Sequence, residues 1–249
     1  MELLTQMVAE EWLACSDPKP MLEFLRGKAS DRKLRLFAVG CCRNIARLIK
    51  DKRSKAAVDV AERFADGLAK IEELDAAHAA AEKAWSETKR VSANGFLDVT
   101  YLAAQAARDA SYNPLAVIVP KITGRPKKGQ SVEPIPARDI YPNFASHNAA
   151  AACGAEGGGH HEDVIRREKA SQARLLREIF GNPYQPYAGP SRWAPNIVKL
   201  ANGLYAGAGK VSALQNALAD NHPELAEHLE NDAPHIKGCW VLDLILGKE

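Results

Sequence analysis

The sequence predicts an almost wholly α-helical protein, and three observations carry that expectation. Alanine, the best helix former, is abundant, while aromatic residues make up only 6% of the chain, so few bulky runs compete for strand. Apolar side chains recur every three or four positions along most of the length. Helix punctuation is frequent: capping residues and first-turn prolines where helices should start, glycines where they should stop.

In order along the chain, Glu2 to Ala14 reads as a first amphipathic helix. Asp17-Pro18 starts a second, with Asp capping the free amides and Pro in the first turn, and Gly27 marks its end. Ser30 caps a third helix, expected to run to about Ile49. Helices over 52–66, with Gly67 as stop, and over 71–92 follow, and Leu97 to Ala110 completes the N-terminal half. The pattern then breaks. Pro114, Pro120, Pro126, Pro134, Pro136 and Pro142 predict a linker or long loop over 112–142, within which Leu115 to Val119 could form a strand whose partner is not visible. Helices resume over 143–153, from His161 to Phe180, and at about 195–206, 211–220, 223–230 and 235–246. The expected organisation is therefore an N-terminal helical lobe, 1–111, a Pro-rich basic linker, 112–142, and a C-terminal helical lobe, 143–249, that packs back on the first. The apolar segment Ile236 to Leu246 should be buried with Trp240 and Leu244 on one face, packed against the N-terminal helices.

A hydrophobic content of 46% with 26% charged residues fits a globular chain and argues against global disorder. Five cysteines without regular spacing do not read as a disulfide framework but as reduced thiols. No basic-then-apolar leader is evident, and the most apolar run is too short to span a bilayer. A soluble, cytoplasmic protein is expected.

The formal net charge of +2 gives no global pull on nucleic acid, so an anion-binding surface would have to be local. The helix from Asp31 to Lys50 is the clearest candidate. Leu34, Phe37, Ala38, Cys41, Ile45, Leu48 and Ile49 fall on one arc, with Arg32, Arg35, Arg43, Arg47 and Lys50 opposite and Arg53 just beyond. This face could hold phosphates; equally, its charges could pair with Asp59, Glu62 or Glu72, and no interleaved aromatics support base stacking. Thr123-Gly124-Arg125-Pro126-Lys127-Lys128 resembles the AT-hook, a minor-groove motif, which would add Arg125, Lys127 and Lys128 to a nucleic-acid surface. The motif's usual basic residue before the glycine is replaced by Thr123.

Cys15, Cys41, Cys42, Cys239 and His235 could in principle meet as a zinc site, but no pair has the C-x₂₋₄-C spacing, and packing is the better account. Adjacent His160 and His161 face different ways on a helix, and Glu162 and Asp163 suit its N-terminus without a metal. Gly207-Ala208-Gly209-Lys210 fails as a phosphate loop, because Leu204 stands where the first glycine is needed and Val211 where a hydroxyl is needed. No nucleophile elbow or His-Glu-x-x-His motif occurs. The sequence therefore nominates no catalytic residue, no metal site and no cofactor.

Several long phrases are distinctive. Glu11 to Pro18 runs into Met21 to Lys28, then Asp31 to Ala38, Cys41-Cys42-Arg43 and Ala61 to Gly67. Near the other end stand Leu175 to Pro183 and Pro234 to Leu244. Together these resemble an uncharacterised family multiplied into many paralogues in planctomycete bacteria. The resemblance covers about 100 residues at the two ends and implies no activity; many paralogues in one genome suit a binding or regulatory module. The expected function is a non-catalytic interaction or regulatory module with a protein partner. The alternatives are a nucleic-acid-binding protein and a metal-binding Cys/His protein or enzyme.

Overall fold

The computed structural model describes residues 7–91, 97–113, 117–118, 135–156, 161–230 and 235–248, without the side chains of 117–118 and 135–140. It is an all-α structure. The chain divides into two compact units, the first made of residues 1–7 and 15–173, the second of 8–14 and 174–249.

The first unit carries α2 (Pro18–Leu25), α3 (Asp31–Asn44), α4 (Lys52–Ala65), α5 (Ile71–Glu87), α6 (Val99–Ala110), α7 (Ala137–Ala155) and the start of α8 (Glu162–Phe180). The caps read from the sequence are in place: Asp17 accepts from the Lys19 amide and Ser30 from the Lys33 amide. Asp51 and Asp98 cap α4 and α6 in the same way. Helix α3 ends at Asn44 rather than near Ile49, yet Ile45, Leu48 and Ile49 stay buried in the turns that follow. The strand expected within 115–119 is the two-residue β1 (Val117–Ile118). Its partner is β2 (Ile135–Pro136), antiparallel and distant in sequence.

Residues 143–173 belong to the first unit, so the division falls at Ala173/Arg174 and not in the Pro-rich segment. The cause is alanine. Helix α7 packs on α6 and α3, and Ala145, Ala149, Ala150 and Ala152 of α7 are buried, as are Ala103, Ala106, Ala107 and Ala110 of α6. Small side chains let the helix axes approach closely, and this contact accounts for the placement of α7. Helix α7 also begins before Pro142 and carries that proline internally.

Within this alanine layer sits a buried carboxylate. Asp109, 1% exposed, accepts from Arg108 at 2.6 Å and from Asn148 of α7 at 2.9 Å. Burial raises it to about 6 against the opposing pull of Arg108. A carboxyl whose folded value lies above its unfolded one stabilises the fold below about pH 4 and loses that contribution as pH rises through 6, by up to about 3 kcal/mol. Urea denaturation at pH 4 and pH 7 should therefore show Asp109→Asn gaining on the wild type by that amount. An unchanged difference between the two proteins would contradict it.

The second unit consists of α1 (Ala9–Ala14), α8 from Arg174, α9 (Pro195–Tyr205), α10 (Val211–Leu218), α11 (Pro223–Glu230) and α12 (Trp240–Leu246). Its core joins Ile197, Ala201, Leu214, Leu218, Leu225, Leu229, Val241, Leu242 and Ile245. Helix α12 is buried as expected, but it packs against α9. Its innermost residues are Val241, Leu242 and Ile245, while Trp240 and Leu244 lie at the rim, over Gly181 and Gly189. Helix α1 belongs to this unit. Its Trp12 is fully buried, donating its indole N–H to the Gly181 carbonyl at 2.9 Å and accepting at its own carbonyl from Arg177 at 3.2 Å.

Candidate metal centre

The second unit brings four potential donors together. Glu178 lies in the last turn of α8, whose apolar face buries Leu176 and Ile179. Its own side chain is turned inward and 6% exposed. A carboxylate at a helix C-terminus faces the negative end of the dipole, and burial adds a desolvation penalty, so it needs compensating partners. Two histidines supply them. His228, in the last turn of α11, approaches Glu178 Oε2 with Nε2 at 3.1 Å; His235 approaches Oε1 with Nδ1 at 3.0 Å.

Cys239 completes the group. The Cys239 amide donates to the Ile236 carbonyl at 3.0 Å, and Gly238 takes φ 92°. A positive φ at the third position of such a turn suits glycine, and the turn swings Cys239 back beside His235. The Sγ atom lies 3.4 Å from His228 Nε2 and 3.9 Å from His235 Nδ1, and Cys239 is fully buried. Four donor atoms, one from each residue, lie within 4.8 Å of one another.

The electrostatics centre on Glu178. Burial raises its carboxyl, but the hydrogen bonds from His228 and His235 outweigh burial and hold it at about 2. Burial lowers His235, yet the Glu178 carboxylate beside it leaves the ring raised above its ordinary value. Burial and the Glu178 charge push the Cys239 thiol well above its usual range. With no ion, the group is a carboxylate bridging two imidazoles, with a neutral thiol alongside.

With an ion, the same atoms suit tetrahedral coordination. Zinc bonds of 2.0–2.3 Å imply donor–donor edges of about 3.3–3.8 Å. Cys239 Sγ stands at 3.4 and 3.9 Å from the two ring nitrogens, close to that range, while Glu178 meets the rings through different oxygens at 3.1 and 3.0 Å. One donor from each residue keeps within 4.8 Å of the others, so small shifts of flexible side chains would close the shell. A thiolate, two imidazoles and a carboxylate select a borderline-soft ion such as Zn²⁺ over Mg²⁺ or Ca²⁺, which prefer oxygen alone. His235 also has an outer partner suited to a ligand, since its Nε2 faces the Leu229 carbonyl at 3.4 Å.

Of the cysteines and histidine weighed from sequence, only Cys239 and His235 take part. Cys15 donates its thiol to the Asp17 carbonyl, while Cys41 and Cys42 are buried in α3; all three belong to the first unit. Reading Cys239 and His235 as packing residues missed their polar surroundings. The available signal was the His235-x₃-Cys239 spacing with His228 seven residues earlier. Nothing local marked Glu178. His160 lies outside the described residues; His161, Glu162 and Asp163 are exposed.

The basic residues of 32–53 are largely engaged within their own unit. Arg32 pairs with Asp66 at 3.3 Å, and Arg43 with Asp59 at 2.7 Å and Glu62 at 3.5 Å. Arg47 pairs with Glu156 at 2.5 Å, and Arg53 with Asp51 at 2.7 Å and Glu87 at 2.6 Å. Lys50 is exposed. Arg35 is not on the outer arc at all. It is 8% exposed and donates to the carbonyls of Ala110 at 3.0 Å and Tyr112 at 2.7 Å, capping the end of α6. A helix end with open carbonyls beside an otherwise alanine-lined face is what draws this guanidinium inward. Arg125, Lys127 and Lys128 lie outside the described residues. Arg35→Met is expected to destabilise the first unit by about 2–4 kcal/mol, because buried carbonyls lose charged donors. Arg43→Ala, which breaks exposed pairs, should cost under about 1 kcal/mol. Chemical denaturation of both variants checks the contrast.

No protein-family model, curated protein or solved structure matches the chain. None of the described helices is long and apolar enough to cross a membrane.

Proposed function

We propose that this protein is a non-catalytic, metal-stabilised helical module whose second unit holds one Zn²⁺ ion through Glu178, His228, His235 and Cys239. The observation that carries the reading is the convergence of carboxylate, two imidazoles and thiol within 4.8 Å. Four such groups seldom share a buried space by packing alone, since each has a desolvation cost that a metal offsets.

With all four donors bound, a tetrahedral shell would be filled and would leave no position for a substrate, which is the pattern of a structural rather than a catalytic ion. The ion would tie α8 to α11 and the turn before α12, the latter two already joined by the apolar core. Glu178, His235 and Cys239 also fall inside the phrases that carry the family resemblance. A closed, structural centre agrees with a protein that acts by presenting a surface to a protein partner.

Elemental analysis of protein purified without added metal, together with Co²⁺ substitution, tests this. The expected result is one zinc per chain, and on Co²⁺ loading a thiolate-to-cobalt charge-transfer band with the intense visible absorption of a tetrahedral site. Protein that carries no transition metal and gives only the weak spectrum of hydrated Co²⁺ would refute the proposal.

A further inference from the structure

Trp240 follows the ligand Cys239 directly and donates its indole N–H to His228 Nδ1 at 3.2 Å. An indole nitrogen only donates, so the Nδ1 it meets carries a lone pair, and the ring proton sits on Nε2, facing Glu178 Oε2 at 3.1 Å. Nε2 is also the atom nearest Cys239 Sγ, and hence the one a metal would take. A neutral imidazole bound through Nε2 carries its proton on Nδ1. The indole N–H and the new Nδ1–H would then oppose each other at 3.2 Å.

Trp240 also lies against Gly181. A Cβ added at Gly181 would come within 3.2 Å of the indole, and Gly181 itself takes φ +63°. The carbonyl of Gly181 accepts from Trp12 at 2.9 Å, and Arg177, the residue before Glu178, donates to the Trp12 carbonyl at 3.2 Å. These two polar contacts of α1 come from segments touching the centre. Helix α1 has six residues, far too few to hold helical form unaided, so its order depends on this seat.

We infer that the centre is metal-responsive: an ion held by Glu178, His228, His235 and Cys239 displaces the Trp240 indole from His228 and, through Gly181, unseats Trp12 and loosens α1. The inference rests on the metal-binding reading above. On loading, the Cys239 thiol releases its proton to solvent as the sulfur binds the ion. The Nε2 proton of His228 is lost, and one proton is gained at Nδ1, so the ring stays neutral; His235 releases to solvent the Nδ1 proton that faces Glu178 Oε1 and keeps the Nε2 proton that faces the Leu229 carbonyl. Trp240 is a positioning residue that transmits the change, and α1 is the element that reads it.

The test titrates ZnCl₂ into the metal-free full chain and follows three signals: bound zinc by equilibrium dialysis, the Trp240 indole N–H resonance, and amide exchange over residues 8–14. One bound equivalent should move the Trp240 resonance and speed α1 exchange by about tenfold. Trp240→Phe, which keeps the apolar contact without the N–H, should bind zinc at least as well while its α1 exchange no longer responds. Zinc binding with an unmoved Trp240 resonance and unaltered α1 exchange would overturn the inference and leave the metal site standing. An equal α1 response in Trp240→Phe would remove Trp240 from the route. Failure to bind zinc at all removes the metal reading and the inference together.

Discussion

Chelation of the purified protein is expected to lower the stability of the second unit and leave the first unchanged. With free ion about a thousandfold above its dissociation constant, the bound state gains about 4 kcal/mol. Calorimetry of the full chain should then show one transition shifting down on chelator treatment and returning with zinc. The gain should fall below the about 10–16 kcal/mol seen where metal is the only organiser of a zinc-finger peptide. This unit has its own apolar core, and Glu178 keeps its two imidazole partners when no ion is present. Cys239→Ala should abolish the chelator effect and weaken zinc binding by more than about a hundredfold. The contrasting substitution is Cys41→Ala, also at a fully buried thiol. It should lower the other transition, through a cavity, and leave zinc binding intact. Superimposable scans with and without chelator would dispose of the structural role.

The second large effect is expected at the far end of the sequence. Trp12 is 0% exposed, and its indole N–H is spent on the Gly181 carbonyl. Truncation in Trp12→Ala removes a large buried side chain, creates a cavity and leaves that carbonyl without its indole donor, for a loss of about 3–5 kcal/mol. Its neighbour Leu13 is 55% exposed, and Leu13→Ala should fall within about 0.5 kcal/mol of wild type. Urea titration of the metal-free protein, read on the second unit's transition, distinguishes the two. Equal effects would mean that α1 is not seated as described.

The helices were legible because their signals are local. Asp17-Pro18, Ser30 and Pro195 mark starts within a residue or two of those found, and the apolar periodicity of 31–44 and 195–205 needs no tertiary information. What was not legible depends on contact between distant segments. The fate of α7 turned on alanine packing against α6, which periodicity cannot assign to one partner over another. The inward turn of Arg35 depends on the end of α6, 75 residues away; by helical angle alone it belongs with its polar neighbours. The centre divides the same way. His228, His235 and Cys239 stand close in sequence and could have been grouped by spacing. Glu178 lies 57 residues from His235, on a helix whose charge pattern is ordinary, and only folding brings it there.

The Gly238 turn has a thermodynamic consequence of its own. It sets an imidazole and a thiol four positions apart on a chain that needs no other element in place to make that bend. A disordered chain therefore retains a two-point grip on a soft cation, and part of the affinity is shared between ordered and disordered forms. An ion held this way can arrive before the helices have assembled and recruit the histidine of α11 and then the distant carboxylate. Metal would thus shorten the search for the native arrangement as well as deepen its minimum, and refolding of this half should run faster when zinc is present from the first moment than when it is added afterwards.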